Sequence, residues 1–410
     1  MSRRRAWRSI AVVAALMAGL AGGGLAGLVA QGTPRPSIPG PESAGSPSAS
    51  SPPAPTPAIR PAPADTLLAW TPGALPPGFA SAVARNPAVT RSVAVVSGTL
   101  WMTRSASPGG VTVDRPKDGL AIPIEVAAAP LADYAPFLPP QDRALLPALA
   151  GGAGALGATS AELRRFGAGG TLRFGRRSVR IAGVVPDSAI GAHELFVSNR
   201  TAAVLGLRTE RYLLIDPRPG VAEARMRAIL RGLLPPGTLL QVRGPGETPF
   251  FRQGDAVLPP VRLKQLFGEF AARPMPNGWF RMDPAWTRVH VVRARVPILG
   301  VVRCNRAVVA QLRGALAQLR DAGLGGLIHP SEYGGCFAPR FANRDPAEGV
   351  SHHSWGVAID LNVAENLRGR VPTMDPRVVA AFERWGFTWG GRWIIPDGMH
   401  FEFARFASGA

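Results

Sequence analysis

Two short segments near the end of this chain combine histidines with carboxylates. Ser351 to Asp360 reads Ser-His-His-Ser-Trp-Gly-Val-Ala-Ile-Asp, and Asp397 to His400 reads Asp-Gly-Met-His. A catalytic zinc ion commonly takes three nitrogen or oxygen ligands from the protein and leaves a fourth position open. His353, Asp360 and His400 supply two imidazoles and one carboxylate of this kind. A fold that uses these three residues together must bring both segments close to each other. Asp397 is then not needed as a ligand and is a candidate for proton transfer.

The first segment predicts a strand from Gly356 to Val363 that is entered from a turn. On such a strand Asp360 shares one face with Ala358, while the neighbouring residues point to the core, because strand side chains alternate. The spacing from His353 to Asp360 is odd, which would put the two side chains on opposite faces of a continuous strand. We therefore expect His353 on the turn ahead of Gly356.

The second segment predicts a strand from Met399 to Phe403. His400 and Glu402 share a face of this strand, so Glu402 is a candidate partner of the ligand residues or part of the cleft wall. Two helices are predicted near the site, over residues 305–323 and 375–386, each from a polar cap to a glycine. Their apolar residues recur at helical spacing: Val308, Leu312, Leu316 and Leu319 in the first, and Val378, Phe382 and Trp385 in the second.

A basic tail precedes a long apolar run at the N-terminus. Four arginines within residues 1–8 are followed by a run without charge from Ser9 to Gly32, which is long enough to span a bilayer. The apolar region of a cleaved signal peptide is shorter, typically about 7 to 15 residues. We therefore predict a cytoplasmic tail over 1–8 and a signal anchor over 9–31 in the cytoplasmic membrane, with the rest of the chain extracytoplasmic. Secretion after signal cleavage stays open as the alternative.

Composition divides the remaining chain into a linker and two α+β domains. Residues 32–66 are rich in Pro, Ser and Ala with almost no charge, which predicts an extended linker. Residues 67–272 alternate short apolar runs with Gly and Pro and predict a separate α+β domain. Its predicted elements are strands at Ser92–Val96 and Val179–Val185 and a helix at Ala222–Leu233.

No chemistry is assigned to residues 67–272. The pair His193-Glu194 lacks a third ligand, so we interpret it as structural or exposed. Positioning, wall or partner binding, and inhibition of the neighbouring domain all stay open as its role. The last domain, residues 273–410, begins at the turn signals of Pro274 to Gly278.

The net charge of +19 comes almost wholly from arginine, since Lys117 and Lys264 are the only lysines. The arginines are scattered rather than gathered in a basic stripe, so nucleic-acid binding is not predicted. An anionic cell envelope is the partner that such a charge favours in an exported protein. Cys304 and Cys336 form an even pair, which predicts one disulfide in an oxidising compartment. Two unrelated reduced cysteines stay open as the alternative.

The two histidine segments resemble the zinc D-Ala-D-Ala carboxypeptidases of the VanY type and the L-alanyl-D-glutamate endopeptidases of phage lysis. Their shared pattern is S-x-H-x-x-G-x-A-x-D, followed by an acid three residues before a second histidine. The matching positions are Ser351, His353, Gly356, Ala358 and Asp360, then Asp397 and His400. The resemblance covers about Pro297 to Phe406. It implies an α+β fold of the hedgehog/D-Ala-D-Ala-peptidase type, with a small antiparallel sheet and flanking helices.

The resemblance also implies roles for individual residues. Zinc would be held by His353, Asp360 and His400, with Asp397 as the catalytic acid and base. Many members have glutamate at the position of Asp397, but the endopeptidase-like branch carries aspartate. Arg340 takes the place of the family's arginine that binds substrate and stabilises the oxyanion. A solvated loop arginine is the alternative for Arg340.

Other residues near the motifs are candidates for substrate binding. Ser351 is predicted to hydrogen-bond substrate, and a disulfide at Cys336 would help to fix the loop that carries Arg340. Trp393 is predicted to line the cleft together with Trp355 and Trp389, with core packing as the alternative for each ring. We interpret His352 as a bystander next to a ligand.

These features predict a membrane-anchored, extracytoplasmic zinc peptidase that hydrolyses peptidoglycan stem peptides. The bond cut, D-Ala-D-Ala or L-Ala-D-Glu, stays open because pocket shape sets that choice, and the sequence specifies no oligomeric state. The alternative is a non-catalytic zinc-containing wall-binding or signalling module, since hedgehog domains resemble the same fold. A third interpretation makes residues 67–270 the main functional part and the peptidase domain its regulated accessory.

Overall fold

The computed structural model describes residues 66–407. The predicted cytoplasmic tail, the signal anchor and all but the last residue of the predicted linker lie outside this range. Within 66–407, no helix is long and apolar enough to cross a membrane. The described chain mixes helices with several sheets, as the sequence predicts.

Nine strands form one large mixed sheet in the first half of the described chain. They are β1 (Leu67–Trp70), β2 (Val89–Ala106), β3 (Ile122–Ala129), β4 (Gly154–Gly157), β5 (Thr171–Phe174), β6 (Arg177–Val185), β7 (Leu195–Ser198), β8 (Glu210–Pro217) and β9 (Gln241–Arg243). Their order is β3-β7-β4-β6-β5-β2-β8-β1-β9, and β3 also pairs with β2. The strands from β3 to β2 in that order therefore close into a barrel, and β8, β1 and β9 extend from it.

Strand β2 makes this closure because it is long and meets three partners in turn. Its first part pairs with β8, its middle with β3 and its end with β5. The register shifts between Met102 and Arg104, where the strand turns from one partner to the next. The predicted strand Ser92–Val96 lies within β2, and the predicted strand Val179–Val185 lies within β6.

Seven α-helices precede β10 among the described residues. They are α1 (Phe79–Ala84), α2 (Leu131–Tyr134), α3 (Leu146–Ala150), α4 (Ala158–Arg164), α5 (Asn199–Leu205), α6 (Glu223–Gly232) and α7 (Pro260–Phe267). The helix predicted at Ala222–Leu233 is confirmed as α6, which buries Met226 and Leu230. Separate clusters of buried apolar residues pack inside the barrel and around it.

The remaining elements surround a second core. They are β10 (Ala272–Pro274), β11 (Phe280–Met282), α8 (Pro284–His290), β12 (Val291–Val296), β13 (Gly300–Asn305), α9 (Val309–Asp321), β14 (Ala358–Asp360), α10 (Pro376–Arg384), β15 (Phe387–Trp389) and β16 (His400–Phe403). The small antiparallel sheet has the order β14-β16-β15. Both predicted helices are confirmed as α9 and α10, and the Asp375 side chain caps α10 by accepting from Arg377 N–H.

Strand β14 is shorter than the predicted strand from Gly356 to Val363. Gly356 has φ of 69° and Asn362 has φ of 49°. A residue in the left-handed region interrupts an extended backbone, so the strand is confined between these two positions. At Gly356 a side chain would also collide, since a Cβ there would lie 2.8 Å from the backbone nitrogen of Asn305.

The second core also includes residues that precede the predicted domain boundary at 272. Leu258, Leu263, Phe267 and Phe270 are buried in one cluster with the apolar residues of α9, α10 and the small sheet. Helix α7 therefore packs as part of the C-terminal half, although it lies on the N-terminal side of that boundary. The boundary itself stays a prediction.

Candidate metal centre and cleft

The structure brings His353, Asp360 and His400 together. The His353 Nε2 atom lies 3.2 Å from Asp360 Oδ1 and 3.2 Å from His400 Nδ1, and the His400 Nδ1 atom lies 3.0 Å from Asp360 Oδ1. In a tetrahedral zinc site with bonds of about 2.0 Å, ligand atoms lie about 3.3 Å apart. The three atoms are therefore spaced as one metal ion requires, and all three residues are buried.

Local structure fixes each of these side chains. His353 lies on a single 3₁₀ turn, residues 352–354, where its N–H donates to Ser351 Oγ at 3.3 Å. Asp360 ends β14 and His400 begins β16, and the two residues are paired across the antiparallel ladder. His353 therefore lies on the turn ahead of Gly356, which is the position predicted from its odd spacing to Asp360.

The second nitrogen of each imidazole is held away from the cluster. The His353 Nδ1 atom lies 2.9 Å from the carbonyl oxygen of Cys336, and the His400 Nε2 atom lies 3.3 Å from Glu402 Oε2. Each of these nitrogens is oriented by an oxygen acceptor, which directs the other nitrogen of each ring, His353 Nε2 and His400 Nδ1, toward Asp360. This arrangement is the one that orients histidines as metal ligands.

Glu402 connects the ligand strand to its surroundings. Its buried carboxylate lies 2.8 Å from His352 Nδ1 and accepts the N–H of Val257 at 3.2 Å, in addition to its contact with His400. Burial alone would raise the pKa of Glu402, but His352 and His400 hold it well below its usual range. His352, interpreted from the sequence as a bystander, thus lies against the carboxylate that supports His400.

The charge of these partners also acts on His400. Burial alone would lower the pKa of this imidazole, but Asp360 and Glu402 raise it to about 10. The ring therefore binds a proton strongly. A metal ion that binds at Nδ1 must displace that proton, so metal affinity should fall as the pH is lowered.

Asp397 lies beside the cluster with one oxygen free. Its carboxyl group is buried, and Oδ1 has no hydrogen-bond partner among residues 66–407. Burial raises the pKa of Asp397, and the negative charge of Asp360 adds to that effect. The Nε atom of Arg368 lies 3.9 Å from Oδ2 of the same carboxylate. Arg368 carries no motif signal, so the sequence did not mark it as a site residue.

The predicted substrate-binding residues lie around the same cleft. Arg340, Ser351 and Trp393 all line it. Among residues 66–407, the guanidinium group of Arg340 hydrogen-bonds only to the carbonyl oxygen of Phe341, at 3.4 Å. The Trp393 ring centroid lies 5.1 Å from that of His400.

The structure separates the three tryptophans that were grouped by sequence. Trp355 is fully buried against Phe270, so it belongs to the core rather than to the cleft. Trp389 is half-buried and donates its Nε1–H to the carbonyl oxygen of Gly398 at 2.8 Å. Cys304 and Cys336 form a disulfide, as predicted, and Cys336 also supplies the carbonyl group that orients His353.

The cleft is a cavity of about 320 Å³ whose walls come from both halves of the described chain. Residues of the first half that line it include Trp70, Glu125, His193, Arg252, Gln253 and Asp255. The loop that carries Asp255 is tied to the C-terminal half, because Asp255 Oδ2 accepts the N–H of Ile394 at 3.2 Å. The sequence missed this wall because its residues are far apart along the chain and share no motif.

Residues 344–403 match a family model described as D-alanyl-D-alanine carboxypeptidase. This segment resembles that family. The match contains His353, Asp360, Asp397 and His400, and it supports a peptidase of this broad class without specifying a member. None of the curated proteins matches the chain.

Two solved structures show weak likeness to part of this chain. One is the periplasmic region of MacB from Actinobacillus actinomycetemcomitans, with 11% identity, a TM-score of 0.32, and coverage of 44% of this chain and 88% of that one. The other is the extracellular domain of the noncanonic ABC-type transporter YknZ from Gram-positive bacteria, with 13% identity, a TM-score of 0.26, and coverage of 40% and 87%. At these TM-scores neither likeness bears on the function of this chain.

Proposed function

We propose that this chain is an extracytoplasmic zinc metallopeptidase that hydrolyses peptidoglycan stem peptides. The observation that carries the proposal is the spacing of the His353, Asp360 and His400 ligand atoms, 3.0 to 3.2 Å apart. Two imidazoles and one carboxylate suit zinc, with a further position left for water. The family match over residues 344–403 supports a carboxypeptidase-like reaction on a peptide.

A zinc ion held by these three residues would supply a water of lowered pKa and would polarise the scissile carbonyl group. Asp397 would serve as the general base toward the attacking water, because its carboxyl group lines the same cleft as the three ligand residues. Its raised pKa suits a group that must next give the proton to the leaving amine. Arg340 lines the same cleft and stabilises negative charge on the substrate, either on the developing oxyanion or on a terminal carboxylate.

The location of the protein outside the cytoplasm is supported by two features of the chain. The basic residues before the apolar run predict a single-pass anchor in the cytoplasmic membrane, with everything after it outside. The disulfide between Cys304 and Cys336 suits an oxidising compartment. We propose the cytoplasmic membrane and the peptidoglycan as the surroundings of this enzyme.

Two variants test the peptidase proposal. Asp397→Asn should retain zinc, measured by elemental analysis, and should lose about 100- to 10,000-fold in the rate of stem-peptide hydrolysis. His400→Ala should lose both zinc and hydrolysis, because it removes a ligand. Asp321→Asn is the matched control, since Asp321 is exposed and its one ion pair within the described part of the chain is with Arg320.

Mass spectrometry of digested muropeptides gives the activity and identifies the bond that is cut. Undiminished cleavage by Asp397→Asn would refute the assigned role of Asp397. Tight zinc binding by the wild-type protein without cleavage of any stem peptide would favour the non-catalytic wall-binding module instead.

A further inference from the structure

The stretch from helix α8 through helix α9 carries positive charge without negative charge. From Pro284 to Arg320 the chain holds no aspartate or glutamate and seven arginines, which are Arg288, Arg293, Arg295, Arg303, Arg306, Arg313 and Arg320. Among the described residues, only Arg320 of this set forms an ion pair with a carboxylate, that of Asp321. The other six guanidinium groups are therefore not neutralised by an anion within residues 66–407.

Hairpin β12–β13 gathers three of these arginines on one face, although they are spread along the sequence. Arg293 lies directly opposite Arg303 in the ladder, and Arg295 lies opposite Val301. Opposed residues of an antiparallel pair share a face of the sheet, and all three arginines are exposed. The other face of the hairpin is buried in the second core through Val296, Val302 and Cys304. We call Arg293, Arg295 and Arg303 the arginine face.

The arginine face is not explained by the stability of the fold. Like charges directly opposite each other on neighbouring strands are destabilising, and Arg293 and Arg303 form such a pair. The Arg303 guanidinium lies 4.6 Å from the ring centroid of Phe337, which is an aromatic partner and not an anion. A local conflict of this kind, left without compensation by the fold, is expected at functional sites. An exposed set of unpaired guanidinium groups suits an anionic partner.

The arginine face is attached to the segment that leads into the cleft. Phe337 N–H donates to the carbonyl oxygen of Arg303 at 3.0 Å, and the disulfide joins Cys304 of β13 to Cys336. Arg340, three residues after Phe337, lines the cleft. Three residues span at most about 10 Å, so the backbone at the arginine face lies near the cleft. A polymer with one part in the cleft can therefore reach the arginine face with another.

We propose that the arginine face is a docking surface for the peptidoglycan polymer, which it recognises through the carboxylates of stem peptides next to the one in the cleft. The inference rests on the proposed peptidase function. Stem peptides repeat along the polymer and carry carboxylates, which are the planar anions that guanidinium groups bind best. The second contact raises the affinity for the polymer, whereas a single soluble stem peptide in the cleft cannot use it.

The experiment compares binding to the polymer with hydrolysis of a single stem peptide, using the full chain in detergent. Binding to insoluble peptidoglycan is measured by co-sedimentation in an Asp397→Asn background, so that the polymer is not digested. The triple variant Arg293→Gln, Arg295→Gln, Arg303→Gln should bind the polymer about 3- to 100-fold more weakly. With Asp397 intact, the same triple variant should keep the wild-type kcat/KM for a single soluble stem peptide.

A second triple variant controls for net charge. Arg200→Gln, Arg218→Gln and Arg231→Gln remove the same charge at exposed positions that are spread over the first half of the described chain. This control should bind the polymer as the wild-type arginine face does. An equal loss of binding in both triple variants would assign the effect to net charge and overturn the docking surface. A fall in kcat/KM for the single stem peptide in the arginine-face variant would overturn it as well.

A further comparison needs no substitution in the arginine face. Peptidoglycan whose carboxyl groups have been converted to amides should bind the chain with the intact arginine face about 3- to 100-fold more weakly than the unmodified polymer. Equal binding of the two polymers overturns carboxylate recognition, even if the triple variant does not fold, and leaves the peptidase proposal standing. Failure of the wild-type protein to hydrolyse any stem peptide overturns the peptidase proposal. Because co-sedimentation requires no hydrolysis, the two failures are distinguishable.

Discussion

Lys264 is a buried cation that joins helix α7 to the first half of the described chain. Its Nζ atom lies 2.8 Å from Glu194 Oε1 and 3.0 Å from Glu269 Oε1, and it donates to the carbonyl oxygen of Pro123. Arg164 pairs with the same two carboxylates, at 2.8 Å from Glu269 and 3.6 Å from Glu194. Lys264, Arg164, Glu194 and Glu269 form a buried ion cluster of two cations and two anions. Replacing Lys264 by methionine keeps an unbranched side chain, shorter by one atom, and removes one of the cations.

The expected loss of stability follows from this imbalance. The cluster would keep two carboxylates with one arginine, and breaking a buried ion pair by removing one partner costs about 3 to 5 kcal/mol. The entropy of unfolding is about 2 cal/mol/K per residue, or about 0.7 kcal/mol/K over residues 66–407. The midpoint of thermal unfolding should therefore fall by about 4 to 7 °C in Lys264→Met.

The chain offers a matched control for this experiment. Lys117 is the other lysine, and its side chain is exposed. Lys117→Met changes the net charge of the chain by the same amount, so the difference between the variants isolates the buried site. Circular dichroism and tryptophan fluorescence should report the same midpoint, which tests whether unfolding is cooperative. Lys117→Met should remain within about 0.5 kcal/mol of the wild-type protein.

A second substitution separates loss of the ion pair from loss of packing. Glu194→Gln in the Lys264→Met background removes the excess negative charge, so it should restore part of the lost stability. A Lys264→Met midpoint within 1 °C of that of Lys117→Met, where about 4 °C or more is expected, would refute the reasoning. Further destabilisation by Glu194→Gln would show that packing, not charge, is the cause.

Two further predictions concern the stability of the same fold. Burial alone would raise the pKa of Glu269, but the two cations of the buried ion cluster lower it from 4.5 to about 2. The stability that ionised Glu269 contributes is therefore complete above pH 4.5 and is lost as the pH falls toward 2. Acidification over this window should lower the free energy of unfolding by about 3 kcal/mol in the wild-type protein, and by less in Glu269→Gln. An equal acid loss in both proteins would contradict this assignment. The disulfide closes a separation of 32 residues, so Cys304→Ser with Cys336→Ser should lower the unfolding free energy in urea by about 4 kcal/mol. An unchanged urea midpoint would argue against that contribution.

Local patterns predicted most of the C-terminal half. Helix α10 follows from the Asp375 cap and a helical apolar period, and both signals lie within a few residues of each other. The turn that carries His353 follows from an odd spacing to Asp360 on an alternating strand. The length of β14 was overestimated because the sequence does not show that Asn362 adopts a left-handed conformation, which only the surrounding structure fixes.

The contacts of the first half depend on residues far apart in the chain. Strand β2 pairs with three strands, and no local pattern shows where it leaves one partner for the next. The interpretation of His193-Glu194 as structural or exposed was made without these pairings. Glu194 lies in the buried ion cluster, whereas its neighbour His193 lines the cleft.

The cleft makes the two halves of the chain dependent on each other. A fragment that begins at residue 273 lacks Leu263 and Phe267 from its core, and it lacks the Val257 N–H group that donates to Glu402. Glu402 in turn orients the His400 imidazole, so the first half acts on a ligand residue through one carboxylate. The segment matched by the family model carries the ligand set and Asp397, but the position of His400 and one wall of its cleft depend on residues that lie well before that segment in the sequence.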